Sequence, residues 1–149
     1  MVKENQSTIR ILIVEDEFIT LETLKTVLSE MKFKISGDAM TANEDITVLK
    51  KKETDLAILD INIKGDKDGI WLAKQIREKY QIPFIFLTAY GDDYTTKRAI
   101  KTEPYGFLAK PFNKVDVYTS VAVAVNNFAK QSGDITKKDN PSIVSWDSI

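Results

Sequence analysis

Apolar residues along this chain follow two alternating rhythms. Residues 9–14 (Ile-Arg-Ile-Leu-Ile-Val) form a β-branched run, which predicts a strand. The run meets Glu15-Asp16-Glu17. Beyond these acids Phe18, Leu21, Leu24, Val27, Leu28 and Met31 recur at three- and four-residue steps, the single apolar stripe of a helix. Acids suit the positive end of that helix, and Glu17 is the one most readily assigned to it. Residues 33–36 predict a short second strand closed by Gly37-Asp38. Residues 43–52 predict a second helix with Ile46, Val48 and Leu49 inward and Lys50-Lys51-Lys52 outward.

A third strand spans 56–60, Leu-Ala-Ile-Leu-Asp. An uninterrupted apolar run of this kind is characteristic of a strand buried on both faces of a parallel sheet. A turn-rich loop with Gly65 and Gly69 follows, then a helix over 70–80 with Leu72, Ala73, Ile76 and Tyr80 on one side. The fourth strand is 82–87, with Pro83 near its start, where the ladder tolerates it. A fourth helix over 92–101 has a weak apolar face of Ala99 and Ile100. The fifth strand is 105–109, ended by Lys110-Pro111. The last helix is 113–129, with Val117, Val121, Val125 and Phe128 inward.

Five strands alternating with five helices predict an α/β fold, a doubly wound parallel sheet with right-handed crossovers. We take its order as the flavodoxin-like 2-1-3-4-5. Residues 1–130 read as one domain. Residues 131–149 are polar and weakly periodic, a C-terminal tail or linker. Their apolar Ile143, Val144, Trp146 and Ile149 either dock elsewhere or begin a further domain.

Composition narrows the chemistry. A chain of 149 residues buries roughly 70% of its unfolded surface and needs no staples. With no cysteine and no histidine, disulfides, thiolate or imidazole metal sites, thiol catalysis and histidine phosphorylation of this chain are excluded. The formal net charge of −1 offers no electrostatic case for nucleic acid. No stretch is long and apolar enough for a membrane span, and the polar start does not resemble a signal peptide. The expectation is a soluble cytoplasmic protein.

In the 2-1-3-4-5 order the ligand crevice opens beyond the first and third strands. Glu15, Asp16 and Asp60 stand there. Clustered carboxylates are costly unless one takes a proton or a cation joins them, and oxygen ligands suit Mg²⁺. Asp16 and Glu17 could instead serve the first helix, and Asp60 could merely open a turn. Thr88 and Lys110 end the fourth and fifth strands. A hydroxyl and an ammonium beside such a site can hold phosphoryl oxygens. Lys110 could equally pair with Asp60, and Thr88 could bond the backbone at its strand end.

The chain resembles the receiver domains of two-component response regulators. The resemblance rests on 11–17 (Ile-Leu-Ile-Val-Glu-Asp-Glu), 59–62 (Leu-Asp-Ile-Asn), Asp68-Gly69, 87–89 (Leu-Thr-Ala) and 107–112 (Phe-Leu-Ala-Lys-Pro-Phe), in order, and covers about residues 9–129. It implies that Asp60 is the phosphoacceptor. Asp16, Asp60 and the backbone carbonyl of Asn62 would ligate Mg²⁺, with Glu15 acting mainly through water. Thr88 and Lys110 would hold phosphoryl oxygens. Phe107 would be the switch aromatic, Lys110-Pro111 would be cis, and Asn62 and Tyr90 would flank the hydrolytic water. The loop between Asp60 and Asp68 is one residue longer than the common form, with Lys64-Gly65 in place of a frequent proline.

The resemblance further implies a signalling domain that catalyses only its own phosphorylation and dephosphorylation. Its donor would be a sensor histidine kinase or phosphotransfer protein. Readout, and homodimer contact, would use the face of the fourth helix, fifth strand and fifth helix, here Tyr94, Lys97, Arg98, Lys101, Tyr105, Lys114 and Tyr118. No membrane and no nucleic acid would be bound by the domain itself. Three readings stay open: a stand-alone receiver, the receiver fragment of a longer DNA-binding transcription regulator, and an aspartyl-nucleophile phosphatase. The last is disfavoured by Asn62, where that chemistry usually wants a second acid.

Overall fold

A computed structural model describes residues 9–41, 53–89 and 93–131. The helix expected over 43–52, Tyr90 and the tail over 132–149 lie outside the described residues. In chain order the elements are β1 (Arg10–Val14), α1 (Phe18–Glu30), β2 (Lys34–Ala39), β3 (Leu56–Asp60), α2 (Gly69–Gln75), β4 (Phe84–Thr88), α3 (Asp93–Ile100), β5 (Phe107–Ala109) and α4 (Lys114–Gln131). A π-helical turn, Ile76–Tyr80, extends α2.

The strands form one all-parallel sheet in the expected order, β2-β1-β3-β4-β5. Every residue of the central β3 is buried. Alternation divides the core into two layers. On one face Ile11, Ile13, Leu56, Ile58, Ile85 and Leu87 meet Leu21, Leu24 and Leu28 of α1 and Val117 and Val121 of α4. On the other, Leu12, Val14, Ala57, Leu59, Phe84 and Phe86 meet Ile70, Leu72 and Ala73 of α2 and Ala99 of α3. Such leucines contribute roughly 2–5 kcal/mol each against truncation to alanine. No helix among the described residues is long and apolar enough to cross a membrane.

Four expectations need correction. Phe18 is 64% exposed, so the buried stripe of α1 begins at Leu21. Phe18 opens the helix, beside the strand-end loop rather than over the sheet. The second strand does not close at Gly37-Asp38 but runs through both. Ile11 pairs with Ile35 and Leu12 with Gly37, leaving Ser36 as the extra residue of a bulge, and a strand glycine commonly accompanies that irregularity. Ser36 Oγ lies 2.7 Å from Thr54 Oγ1. The helix expected over 70–80 changes to π geometry at Ile76 and stops at left-handed Gln81, whose N–H donates to the Ile76 carbonyl at 2.8 Å. Tyr118, expected on the readout face, is only 3% exposed. Its ring stacks on Phe33 at 6.3 Å, inside the α1/α4 layer.

Candidate functional site

Strand register brings the site together. Val14 is level with Leu59, Asp60 with Leu87, and Thr88 with Ala109. Glu15, Asp60, Thr88 and Lys110 therefore meet along the C-terminal edge of the sheet, the binding edge of open α/β folds. The backbone there is pinned: Glu15 N–H donates to Ala39 O at 3.0 Å, Ile61 N–H to Leu87 O at 3.2 Å, and Lys110 N–H to Thr88 O at 2.8 Å. The Lys110-Pro111 bond is cis.

One carboxylate oxygen from each of Glu15, Asp16 and Asp60 lies within 4.8 Å of the others. Each acid is also tied to a main-chain donor. Glu15 Oε2 accepts from Glu17 N–H at 2.9 Å, Asp60 Oδ1 from Asn62 N–H at 3.0 Å, and Asp16 Oδ2 from Lys64 N–H at 2.9 Å. The Lys110 ammonium sits 2.8 Å from Glu15 Oε1 and 3.3 Å from Asp60 Oδ2.

The electrostatics follow from burial. Glu15 is fully buried. Burial pushes its carboxyl up to about 7, Asp60 reinforces the rise, and Lys110 and the Glu17 N–H oppose it. Burial also pulls the Lys110 ammonium down, but Glu15 and Asp60 outweigh it and the net shift is upward. The single lysine thus faces two acids, with Glu15 Oε1 held by its ammonium. Three carboxylates within 4.8 Å of one another, answered by one ammonium, form a hard oxygen donor set that fits a divalent cation such as Mg²⁺.

Other predicted residues take definite places. Thr88 Oγ1 donates to the Ala89 carbonyl at 3.1 Å, which is the strand-end bond. Phe107 is 36% exposed, with its ring 5.8 Å from that of Phe86. Asn62 is exposed in the loop after β3. Three features were not anticipated from the residues. The first is the Glu15–Lys110 ion pair. The second is the Lys64 tether on Asp16, for which a main-chain donor leaves no side-chain signal. The third is Gly69, where an added Cβ would stand 2.1 Å from the Asp60 carbonyl oxygen; the Asp68-Gly69 pair was its visible trace.

A family model described as the response regulator receiver domain matches residues 11–122. The transcriptional regulatory protein PdtaR of Mycobacterium tuberculosis is 31% identical over 119 residues, covering 80% of this chain and 58% of that protein. The aerobic respiration control protein ArcA of Escherichia coli is 32% identical over 106 residues, 71% of this chain and 44% of its own. The chain thus spans about half the length of the curated relatives it matches. Among solved structures, the signal receiver domain of a modulated diguanylate cyclase from Desulfovibrio desulfuricans superposes with TM-score 0.78 at 28% identity, covering 82% of this chain and 97% of that one. A putative response regulator from Chloroflexus aurantiacus gives 0.74 at 26%, covering 80% and 98%. With the family's model matched over most of its length and its sheet order reproduced, the chain belongs to the response regulator receiver domain family.

Proposed function

We propose that this receiver is a phosphoacceptor switch in two-component signalling and that Asp60 is the acceptor. The donor is the phosphohistidine of a sensor histidine kinase or phosphotransfer protein. The observation that carries the reading is the Asp60 carboxylate, at the edge of a fully buried strand, with Lys110 Nζ at 3.3 Å and two further acids within 4.8 Å.

A carboxylate oxygen of Asp60 attacks phosphorus. The O–P bond forms as the P–N bond to the partner's imidazole breaks, and the imidazole keeps that electron pair and takes a proton. Lys110 holds a phosphoryl oxygen as charge shifts, and the pinned strand ends supply position more than covalent chemistry. A bound Mg²⁺, held by Asp16, Asp60 and the Asn62 carbonyl with Glu15 behind them, would neutralise charge on the transferring group. Water later cleaves the acyl phosphate and restores the carboxylate.

Thr88 gives up its bond to the Ala89 carbonyl and donates to the phosphoryl group, and Phe107 leaves its exposed position as Thr88 moves. The message is a population shift, read on the face of α3, β5 and α4 through Tyr94, Lys97, Arg98, Lys101, Tyr105 and Lys114, which also serves homodimer contact. Residues 1–130 form the receiver and 131–149 a tail or linker. A second reading, the receiver portion of a longer transcription regulator, is favoured by PdtaR, a transcriptional regulatory protein of which the match covers 58%; DNA binding by such a further portion belongs to this reading alone.

The test is incubation with a small acyl-phosphate donor and Mg²⁺, followed by intact mass. One phosphoryl group is expected on the wild type and none after Asp60→Asn or chelation. Labelling that survives either change counts against the proposal, and catalytic turnover of phosphate esters would favour a phosphatase instead.

A further inference from the structure

Two of the three acids are tethered within their own turn, by the N–H two residues on. Asp16 is different. Its Oδ2 accepts from Lys64 N–H at 2.9 Å, across 48 residues of sequence. That donor sits in a loop with firm anchors. Ile61 and Ile63 are 2% and 3% exposed, and Gly69 N–H donates to Ile61 O at 3.3 Å. Gly65, immediately after the donor, has φ of +122°, a backbone conformation essentially reserved for glycine. The loop's extra length and its Lys64-Gly65 pair therefore lie where the chain aims a main-chain donor at Asp16.

We infer that the Lys64 main-chain N–H is a positioning group for the cation site: it holds Asp16 so that a carboxylate oxygen stays within reach of Glu15 and Asp60. The inference rests on the proposed cation-dependent function. An untethered aspartate must lose side-chain freedom when a cation binds, whereas this one has lost it already. Outer partners of metal-binding carboxylates typically contribute about 10- to 100-fold in affinity. The lysine ammonium has no part in this role.

The experiment is calorimetric titration of the whole chain with Mg²⁺, using wild type, Lys64→Ala, which keeps the N–H, and Lys64→Pro, which deletes it. Should Lys64→Pro fail to fold, an ester in place of the 63–64 amide deletes the donor without added bulk. The Mg²⁺ Kd is expected to rise about tenfold in the proline or ester form and to stay within about twofold in Lys64→Ala. At saturating Mg²⁺ the rate of labelling by the acyl-phosphate donor should return to near the wild-type value, which a general structural defect would not allow. An unchanged or tighter Kd without the N–H overturns the inference, as does an equal loss in Lys64→Ala. A wild type that binds no Mg²⁺ overturns the cation reading itself, and this inference with it.

Discussion

Glu15 shows how much of this site is electrostatic tension. It is fully buried, and one of its oxygens lies 2.8 Å from the Lys110 ammonium. Its carboxyl is raised from 4.5 to about 7, by burial first and by Asp60 next. A carboxyl whose folded value is raised favours the folded state at low pH, and that advantage is lost as pH climbs from its ordinary value through the raised one. Metal-free protein should therefore lose stability between about pH 4.5 and 7, by on the order of 1–3 kcal/mol from this group. Denaturant melts in chelator across that range should show a smaller loss for Glu15→Gln than for wild type; parallel curves would refute the assignment. The meeting of Asp16, Asp60, Thr88 and Lys110 was legible in the sequence because each lies at or just beyond a strand end. The Glu15–Lys110 pair was not, since it joins residues far apart in the chain and depends on side-chain reach.

At the scale of elements, β3 and the start of α2 are locked together at Gly69. No other residue fits, because a Cβ would lie 2.1 Å from the Asp60 carbonyl oxygen, which is backbone and cannot swing aside. Asp68 caps the same helix through its side chain, accepting from Trp71 N–H at 2.9 Å. Gly69→Ala is expected to cost about 2–3 kcal/mol or more, in the range of core overpacking, and to slow phosphoryl acceptance by shifting the backbone under Asp60. Urea denaturation and the initial labelling rate check both effects; a full-rate, fully stable Gly69→Ala protein would contradict this packing. Apolar runs between turn residues made the strands legible, β-branched in β1 and uninterrupted through Leu59 in β3. Pairing irregularity was less so: the bulge at Ser36 is a property of two strands in register, and the π turn after α2 continues the helical apolar spacing through Ile76 and Tyr80. Phe18 followed the stripe in sequence, but periodicity does not say where a helix first overlies a sheet.

Across the whole molecule, the buried core of the described residues runs from Ile9 to Ala129, and the reading of 131–149 as a tail or linker places that segment outside the domain. Removal of residues 132–149 is therefore expected to shift the melting temperature by no more than about 3 °C, under 1 kcal/mol for a domain this size, and to leave labelling within about twofold of the full chain. Thermal melts and intact mass decide it; loss of cooperative unfolding would extend the domain into the tail. Sheet order and the acidic crevice at its C-terminal edge are one consequence of the parallel topology, and the claim that rests on both is the identity of the acceptor. An acyl phosphate is reduced by borohydride to an alcohol, so phosphorylated aspartate becomes homoserine while free carboxylates are untouched. The decisive measurement is peptide mass mapping after acyl-phosphate treatment with Mg²⁺ and borohydride reduction. Homoserine at position 60 and at no other acid is the predicted result; homoserine at another acid, or at none while the label is present, would contradict the account.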